Sequence, residues 1–382
     1  MEKFLLLSEG EIALKGHNRR YFENVLIANI SEYLRRCNIS LKREKRGRLI
    51  INIDESVNIE AIIDGLSTIP GLKTIYYGYK IERNFDAAVN VVLQLLDTAK
   101  SFKIQASRVD KHFSINSMEI NKLLGQKVLE SVTSLIVDVK NPERTVFLEV
   151  FSDHFKVFTK VKNTIGGLPY GVSGKAICLL STGVDSPVAA FMMAKRGLEI
   201  IPLYFHVPPY IGNVSLEKVR NLVKCLINIT IKPIKLYIVN FTKIQLLIKN
   251  NISDKYWTIV SRRFMGRIAQ DIAAIEEAKA IVTGESVGQV ASQTLFNIVA
   301  INEVFLMPVF RPLIGMDKDE IIKIAQRIGT FNVSTGPGID CCTLFSPKHP
   351  ETKAKVHEFI DSEKEILEHL KDNYSYEFVV VE

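Results

Sequence analysis

Residues Cys178–Gly197 read "CLLSTGVDSPVAAFMMAKRG". An apolar run ends at Leu180, a short turn-like stretch follows (Ser181-Thr182-Gly183-Val184-Asp185-Ser186), and a helix-like apolar run begins. A strand that turns directly into a helix makes an anion site from backbone N–H groups and needs no lysine. Ser181, Thr182 and Ser186 add hydroxyl donors around Gly183. Asp185 would repel a bare phosphate; it makes sense if a divalent metal bridges it to the phosphates. Pro187 suits the first helical turn. The same spacing also suits a plain capped helix start with Asp185 or Ser186 as N-cap, so spacing leaves both readings open.

Downstream, apolar strand-like runs alternate with helical ones: "AICLLS", "SPVAAFMMAKRG", "LEIIPLYFHV", "SLEKVRNLVKCLIN", "IKLYIVN", a helical region over 241–279, and "AIVTGE". That rhythm predicts a parallel, doubly wound sheet with buried, continuously apolar strands. Ligands in such sheets sit beyond the carboxyl ends of the strands. The polar tips there are Ser181–Ser186, Phe205–Pro209 and Thr283-Gly284-Glu285.

Upstream the style differs. Residues 1–75 read as strand, helix, hairpin, helix. The helix carries an apolar stripe at Phe22, Val25, Leu26, Ile30 and Leu34, the hairpin turns around Lys45–Gly47, and Asp54 is the expected cap of the second helix. Residues 76–165 continue in mixed α+β style. Helices are expected over "FDAAVNVVLQLLDTAK" and "SMEINKLLGQKVLESVTSL", the latter capped by Ser117, with a hairpin turning at Ser152-Asp153. "NTIGGLPYGVSGK" has no apolar period and reads as a linker, with 166–175 as the joint before a domain over 176–382. "GVSGKA" inside it is not a Walker A loop: it lacks the first glycine and the Ser/Thr after Lys175, and it precedes a strand.

The net charge of +7 and the pI near 9.0 suggest a polyanionic partner, and clustering sharpens that. "LKREKRGR" packs Lys42, Arg43, Lys45, Arg46 and Arg48 into a phosphate-facing patch, and the strand "SFKIQASRV" adds Lys103 and Arg108. The five cysteines form no CxxC pair and no disulfide framework. Cys178 reads as core, Cys37 and Cys225 carry no functional signal, and Cys341-Cys342 stands apart in the Gly/Pro-rich "TGPGIDCCTLF". No apolar run approaches the ~20 residues of a membrane span, and the start of the chain does not read as a signal peptide, so the expectation is a cytoplasmic protein.

Resemblance takes the reading further. "LLSTGVDSPVAAFMMAKRG" resembles the PP-loop, Ser-Gly-Gly-X-Asp-Ser, of the ATP pyrophosphatases, with Thr182 where that pattern has its first glycine. "SEGEIALKGHNRRYFENVL" resembles the opening of the tRNA 4-thiouridine synthetases, also called tRNA sulfurtransferases of the thiamine pathway. Residues from about 60 to 165, including "FKIQASRVDKHF", resemble their THUMP domain. "TGESVGQVASQT" (Thr283–Thr294), "RPLIGMDKDEI" (Arg311–Ile321) and "CCTLFSPKHP" (Cys341–Pro350) follow in that family's order.

The resemblance implies an α/β chain: a ferredoxin-like domain over 1–75, a THUMP RNA-binding domain over 76–165, and a PP-loop domain with an adenine nucleotide alpha-hydrolase-like fold over 176–382. The implied activity is ATP- and Mg2+-dependent: O4 of uridine 8 in tRNA is adenylated, then replaced by persulfide sulfur. It places ATP at Leu179, Leu180, Ser181, Thr182, Gly183, Asp185, Ser186, Tyr204, Phe205, Arg262, Gly284 and Gln293, with Mg2+ reaching Asp185 through the phosphates. Lys318 is implied as the positive charge on the phosphates. A lysine at a helix start opposes the dipole, which favours a functional reason over a merely solvated one.

Cys342 aligns with the family's catalytic cysteine, and Cys341 either helps to resolve the persulfide or only packs. His349 and His357 follow without a metal-site pattern. The chain ends at Glu382 without the rhodanese domain of some members, so the expected sulfur donor is a cysteine desulfurase or another carrier. The family also implies a homodimer and a second role with a sulfur-carrier protein in thiamine thiazole synthesis. Two rivals are a PP-loop enzyme that adenylates a sulfur-carrier protein or another RNA base, and a non-catalytic RNA-binding protein. The N-terminal resemblance disfavours the first, and the presence of Asp185, Lys318 and Cys342 disfavours the second.

Overall fold

Strand β1 (Glu2–Glu9) pairs antiparallel with β3 (Leu49–Ile53) on one side and with β4 (Leu72–Glu82) on the other, and the N-terminal sheet grows from that trio. The computed structural model describes residues 1–43, 48–54, 57–338, 347, 349–368, 370 and 373–382. They fall into two units, Met1–Leu168 and Pro169–Glu382.

In the first unit, β2 (Leu41–Arg43) lies beside β3, while α1 (Arg19–Arg36) and α2 (Ile59–Ser67) connect the strands. Then follow α3 (Phe85–Leu96), β5 (Ser101–Arg108), α4 (Ser117–Ser131), β6 (Ile136–Val137), β7 (Arg144–Val150) and β8 (His154–Asn163). The strands make one eight-stranded sheet in the order β2-β3-β1-β4-β8-β7-β5-β6. β4 pairs with both β1 and β8, so the ferredoxin-like and THUMP portions share a single sheet. The hairpin turn expected at Lys45–Gly47 lies outside the described residues.

The sheet curls. β3 and β7 are separated by β1, β4 and β8. At ~4.8 Å per strand step a flat sheet would hold them roughly 19 Å apart. Arg48, at the start of β3, nevertheless reaches Glu149 on β7, with Nη1 2.6 Å from Oε2. The concave face holds buried Phe4, Leu6, Ile50 and Phe158, and Phe147 stacks on Phe158 with centroids 5.3 Å apart. The other face takes α3 and α4, whose Val92, Leu96, Leu124 and Val128 pack on Phe102, Ile104, Leu148 and Val157.

Two helix starts differ from expectation. Asn58, not Asp54, caps α2: its backbone is extended and its Oδ1 accepts from Ala61 N at 3.1 Å. Asn116, not Ser117, caps α4, because only from position 116 does the third helical residue become Glu119. Asn116 Oδ1 accepts from Glu119 N, and Glu119 Oε2 accepts from Asn116 N at 3.1 Å, closing a capping box.

The second unit is the expected parallel sheet with one addition. Its elements are β9 (Lys175–Leu180), α5 (Asp185–Lys195), β10 (Glu199–His206), α6 (Asn213–Thr230), β11 (Ile234–Asn240), α7 (Thr242–Asn251) and α8 (Trp257–Glu276). They continue as β12 (Ala280–Val282), α9 (Leu295–Asn302), β13 (Val309–Phe310), α10 (Lys318–Arg327), α11 (Phe331–Thr335), α12 (Ile360–Glu368) and β14 (Ser375–Val381). The strand order is β13-β12-β9-β10-β11-β14, with every pair parallel except β11–β14. The helical region over 241–279 is two helices joined by a short 3-10 turn at Asp254–Tyr256. Cys178 lies in β9 as core, and burial pushes its thiol up and out of reactive range.

α12 is locked to α8 by a buried charge cluster. Arg263 is 1% exposed and Glu363 0%. Arg263 Nε donates to Glu363 Oε1 at 2.8 Å, Nη1 donates to Ala300 O, and Arg267 Nη1 donates to Glu363 at 2.5 Å. Burial pushes the Glu363 carboxyl up; hydrogen bonds from the two arginines outweigh that and hold it below the ordinary carboxylate range.

Removing Glu363 leaves buried Arg263 with Glu303, at 2.8 Å, as its remaining carboxylate partner, so Glu363→Ala lowers the stability of this unit by less than the about 3–5 kcal/mol of a fully uncompensated buried charge. Urea unfolding followed on Trp257, the single tryptophan, reads it. A carboxyl with a depressed folded pKa stabilises above its unfolded value of about 4.3, and that contribution is lost as pH falls through the folded value. Wild type therefore loses, on acidification below about pH 4, a part of its stability that Glu363→Ala never had.

Candidate functional site

β9, β10 and β12 end side by side: Leu180 pairs with Tyr204, and Val282 with Cys178. Beyond these ends the chain turns at Ser181–Val184, and α5 starts at Asp185. The turn is tied by its own hydroxyls. Ser186 Oγ accepts from Ser181 N at 2.8 Å and lies 3.0 Å from Ser181 Oγ, which accepts from Gly183 N at 3.2 Å. Ser334 Oγ donates to Gly183 O at 3.3 Å.

Neither Asp185 nor Ser186 is the N-cap. Val184 holds that position and makes no side-chain cap, because Ser186 is bonded back to the turn and Asp185 faces other partners. Asp185 Oδ1 accepts from Lys318 Nζ at 2.5 Å, and Oδ2 accepts from Gln289 Nε2 at 2.8 Å. Lys318 is the first residue of α10, whose cap is Asp317 in a capping box with Glu320. The lysine's position is thus set by that cap, independently of the turn it reaches.

A pocket of about 250 Å³ opens over this turn. Ten of the expected nucleotide residues line it: Leu179, Leu180, Ser181, Asp185, Ser186, Tyr204, Phe205, Arg262, Gly284 and Gln293. Thr182 and Gly183 do not. Thr182 is turned inward, 4% exposed, and Gly183 is bonded into the turn on the side of Ser334. Gly284 is required by close approach. A Cβ there would stand 2.9 Å from Ser186 N and Cα.

The wall also includes residues outside the expected nucleotide set. Met265, Ile301 and Phe305 form an apolar side. Glu285 is buried at the base, accepting from Arg262 Nη1 at 3.1 Å, Arg311 Nε at 2.7 Å and Thr283 Oγ1 at 2.9 Å. Burial pushes its carboxyl up; Arg262 and Arg311 overcome this and keep it ionised. Glu285 and Gln289 both lie in "TGESVGQVASQT", where a signal existed. The apolar residues gave none, since each looks like ordinary core. The pocket therefore has an apolar slot fit for a flat ring and a polar end with the hydroxyls of Ser181 and Ser186 and the Asp185 carboxylate, on which Lys318 sits.

Among the described residues no cluster of three His, Cys, Asp or Glu side chains could hold a metal. Cys341 and Cys342 lie outside the described residues. Lys45 and Arg46 do as well, and so does the side chain of Arg43. Lys42 is exposed on β2. Arg48, expected as a phosphate contact, is paired with Glu149, which the curl of the sheet brings within reach. Lys103 and Arg108 do not form one patch: strand alternation puts them on opposite faces of β5, and Arg108 Nη1 donates to Phe113 O at 3.0 Å.

Comparison with known proteins agrees along the whole chain. Residues 4–75 match the ThiI ferredoxin-like domain, 81–160 the THUMP domain, and 171–368 the family described as Thiamine biosynthesis protein (ThiI). The chain is 43% identical to the probable tRNA sulfurtransferase of Thermoanaerobacter sp. (strain X514), covering 100% of both chains. It is 39% identical to that of Coxiella burnetii over 96% of this chain and 95% of the relative. It also matches the crystal structure of a 4-thiouridine synthetase–RNA complex with bound ATP. The TM-score is 0.88 at 36% identity, covering 99% of this chain and 100% of that one. An N-terminal sheet shared by ferredoxin-like and THUMP portions, a parallel sheet with the Ser181–Ser186 turn at its carboxyl edge, and these full-length matches make the chain a member of the tRNA sulfurtransferase (ThiI, 4-thiouridine synthetase) family.

Proposed function

We propose that this enzyme uses ATP to adenylate O4 of uridine 8 in tRNA and then replaces that oxygen with persulfide-derived sulfur. The single observation that carries the reading is the 2.5 Å contact of Lys318 Nζ with Asp185 Oδ1 at the polar end of the pocket. Adenine suits the slot between Phe205, Met265 and Phe305, and the α-phosphate then lies toward Ser181, Ser186 and Lys318. Uracil O4 attacks that phosphorus, the bond to the β-phosphate bridging oxygen breaks, and pyrophosphate leaves. Lys318 and the start of α5 stabilise the charge that develops.

Magnesium fits as an ion carried by the phosphates. A single carboxylate, Asp185, suits that mode of binding, whereas a site built from protein ligands alone does not fit. Each Asp185 oxygen accepts one donor and keeps a second lone pair for the ion. Such an ion would neutralise charge on the phosphates.

In the second half the terminal persulfide sulfur on Cys342 attacks C4, and AMP departs with O4. A second thiol then cleaves the S–S bond. A disulfide with Cys342 forms and the sulfur stays on the base. A cysteine desulfurase as donor, a homodimer, and sulfur transfer to a carrier protein for thiazole synthesis belong to the same proposal and rest on the family.

Three outcomes are expected. Deleting the gene removes 4-thiouridine from tRNA, and wild type restores it while Asp185→Asn and Cys342→Ser do not; unchanged 4-thiouridine in the deletion sinks the reading. Lys318→Met lowers tRNA-dependent pyrophosphate release about 10²–10³-fold, the loss typical of one transition-state donor. Release that needs no tRNA would point instead to adenylation of a carrier protein. Gly284→Ala forces the start of α5 away from β12 and raises the Kd for ATP, read by calorimetry, with little change in tRNA affinity.

A further inference from the structure

We propose that Lys218 on α6 is a positioning residue for the sulfur-transfer half of the reaction: it holds the chain that leads to Cys342 beside the Ser181–Val184 turn. This rests on the reaction proposed above and concerns its second step alone. Lys218 Nζ donates to the main-chain oxygen of Gly336 at 2.8 Å. Gly336 stands six residues before Cys342 in the sequence.

The path of the chain brings this contact to the site. α10 begins at Lys318, whose Nζ meets Asp185, and its ten residues carry the chain ~15 Å along the helix axis. The corner that follows is held on α6, where Cys225 Sγ donates to Gly329 O at 3.5 Å. α11 then returns the chain to the turn, since buried Ser334 donates through Oγ to Gly183 O at 3.3 Å. Gly336 comes two residues later, so its Cα lies within about 7.6 Å of that of Ser334. Lys218 therefore fastens the chain as it leaves α11, next to the turn.

The fastening is built with some care. Lys218 is 7% exposed. Burying a lysine is costly unless its ammonium is bonded. The bond it makes to Gly336 serves the C-cap carbonyl of α11, one of those that a helix leaves without an internal partner. Gly336 is only half-buried, so water could serve that carbonyl; a charged donor holds it more strongly and in one place. Gly338 then lies against the lysine's own stem. A Cβ there would stand 3.0 Å from Lys218 Cδ and 3.4 Å from Ser215 Oγ, and its φ of +138° favours glycine. Pro337 between the two glycines has a fixed φ, so the direction set at Gly336 is passed on along the chain.

The two halves of the reaction need this anchor differently. Adenylation joins ATP to the base and uses no cysteine. Sulfur transfer requires the terminal persulfide sulfur to meet C4 while the base is held at the pocket. A displacement of about 1 Å between reacting groups costs about 10²-fold in rate.

The test measures three activities of the full-length protein with tRNA. They are pyrophosphate release from ATP, 4-thiouridine formation with a cysteine desulfurase and cysteine as persulfide source, and 4-thiouridine formation with sodium sulfide. Hydrosulfide needs no cysteine: its sulfur attacks C4, the C4–O4 bond breaks, AMP leaves with O4, and the S–H proton passes to water. Lys218→Met lowers the persulfide-supported reaction about 10²-fold. It leaves pyrophosphate release and the sulfide-supported reaction within about twofold of wild type. Lys218→Arg, which keeps a charged donor, recovers most of the loss. Gly338→Ala, which disturbs the same contact without removing the lysine, shows the same selective loss and decides alone if melting curves show that Lys218→Met does not fold. Persulfide-supported formation at the wild-type rate in the folded variants overturns the proposal and leaves adenylation standing. An equal fall in all three activities also overturns it, because the lysine then supports the fold and not the cysteine's approach. If wild type neither releases pyrophosphate with tRNA nor forms 4-thiouridine from either source, the functional reading itself fails and the proposal fails with it.

Discussion

The carboxylate of Asp185 joins two parts of the chain that are 133 residues apart, and the polar end of the pocket depends on that join. α5 and α10 are built by local rules that do not mention each other. One starts where a parallel strand ends, and the other starts at a capping box. Their first turns meet only because both lie at the carboxyl edge of the same sheet. Gln289 holds the second oxygen of the carboxylate, so Asp185 is fixed from two directions before any ligand arrives. A group fixed in this way loses little freedom when charge develops beside it, which is the condition for electrostatic catalysis.

The base of the pocket solves a related problem. Arg262 and Arg311 would repel each other and wander if left to solvent. Glu285 is buried between them and, held ionised by them, sets both guanidinium groups at 3.1 and 2.7 Å. Gly284, one residue earlier, lets β12 approach the backbone of Ser186. The Thr-Gly-Glu tip thus does two jobs at adjacent positions: it clears space for the start of α5, and it positions an arginine at the pocket wall.

Much of this was legible in the sequence, and the failures have physical reasons. The strand-turn-helix at Cys178–Gly197 was readable because buried parallel strands are continuously apolar and the turn is polar. Ten of the residues that line the pocket came through the family resemblance. Met265, Ile301 and Phe305 did not, because an apolar pocket wall has the same composition as core. Phe305 reaches the pocket only because Gly266 on α8 leaves room for its ring, where a Cβ would stand 2.6 Å away. The pairing of Arg48 was not legible, for a different reason. Its neighbours in sequence are basic, but its partner Glu149 comes within reach only through the curl of a sheet assembled from both N-terminal portions. Asn58 and Asn116 displaced the expected caps because helix starts are chosen by backbone geometry and by what stands three residues on, while every Asp, Ser and Asn looks competent in isolation.

The energetics of Lys318 argue that its place is functional. It occupies the first position of α10, where the helix dipole disfavours a cation by roughly 0.3–1 kcal/mol. Its partner returns little: the lysine side chain is 45% exposed, and exposed ion pairs are worth about 0–1 kcal/mol. The two terms nearly cancel, so folding gains almost nothing from a lysine here. A neutral residue after Asp317 would leave the capping box with Glu320 intact and α10 as stable. What the lysine adds is a positive charge held on Asp185 beside a turn that contains no lysine of its own. In the proposed reaction the phosphates of ATP supply the counter-charge that the dipole and the half-exposed Asp185 pair do not.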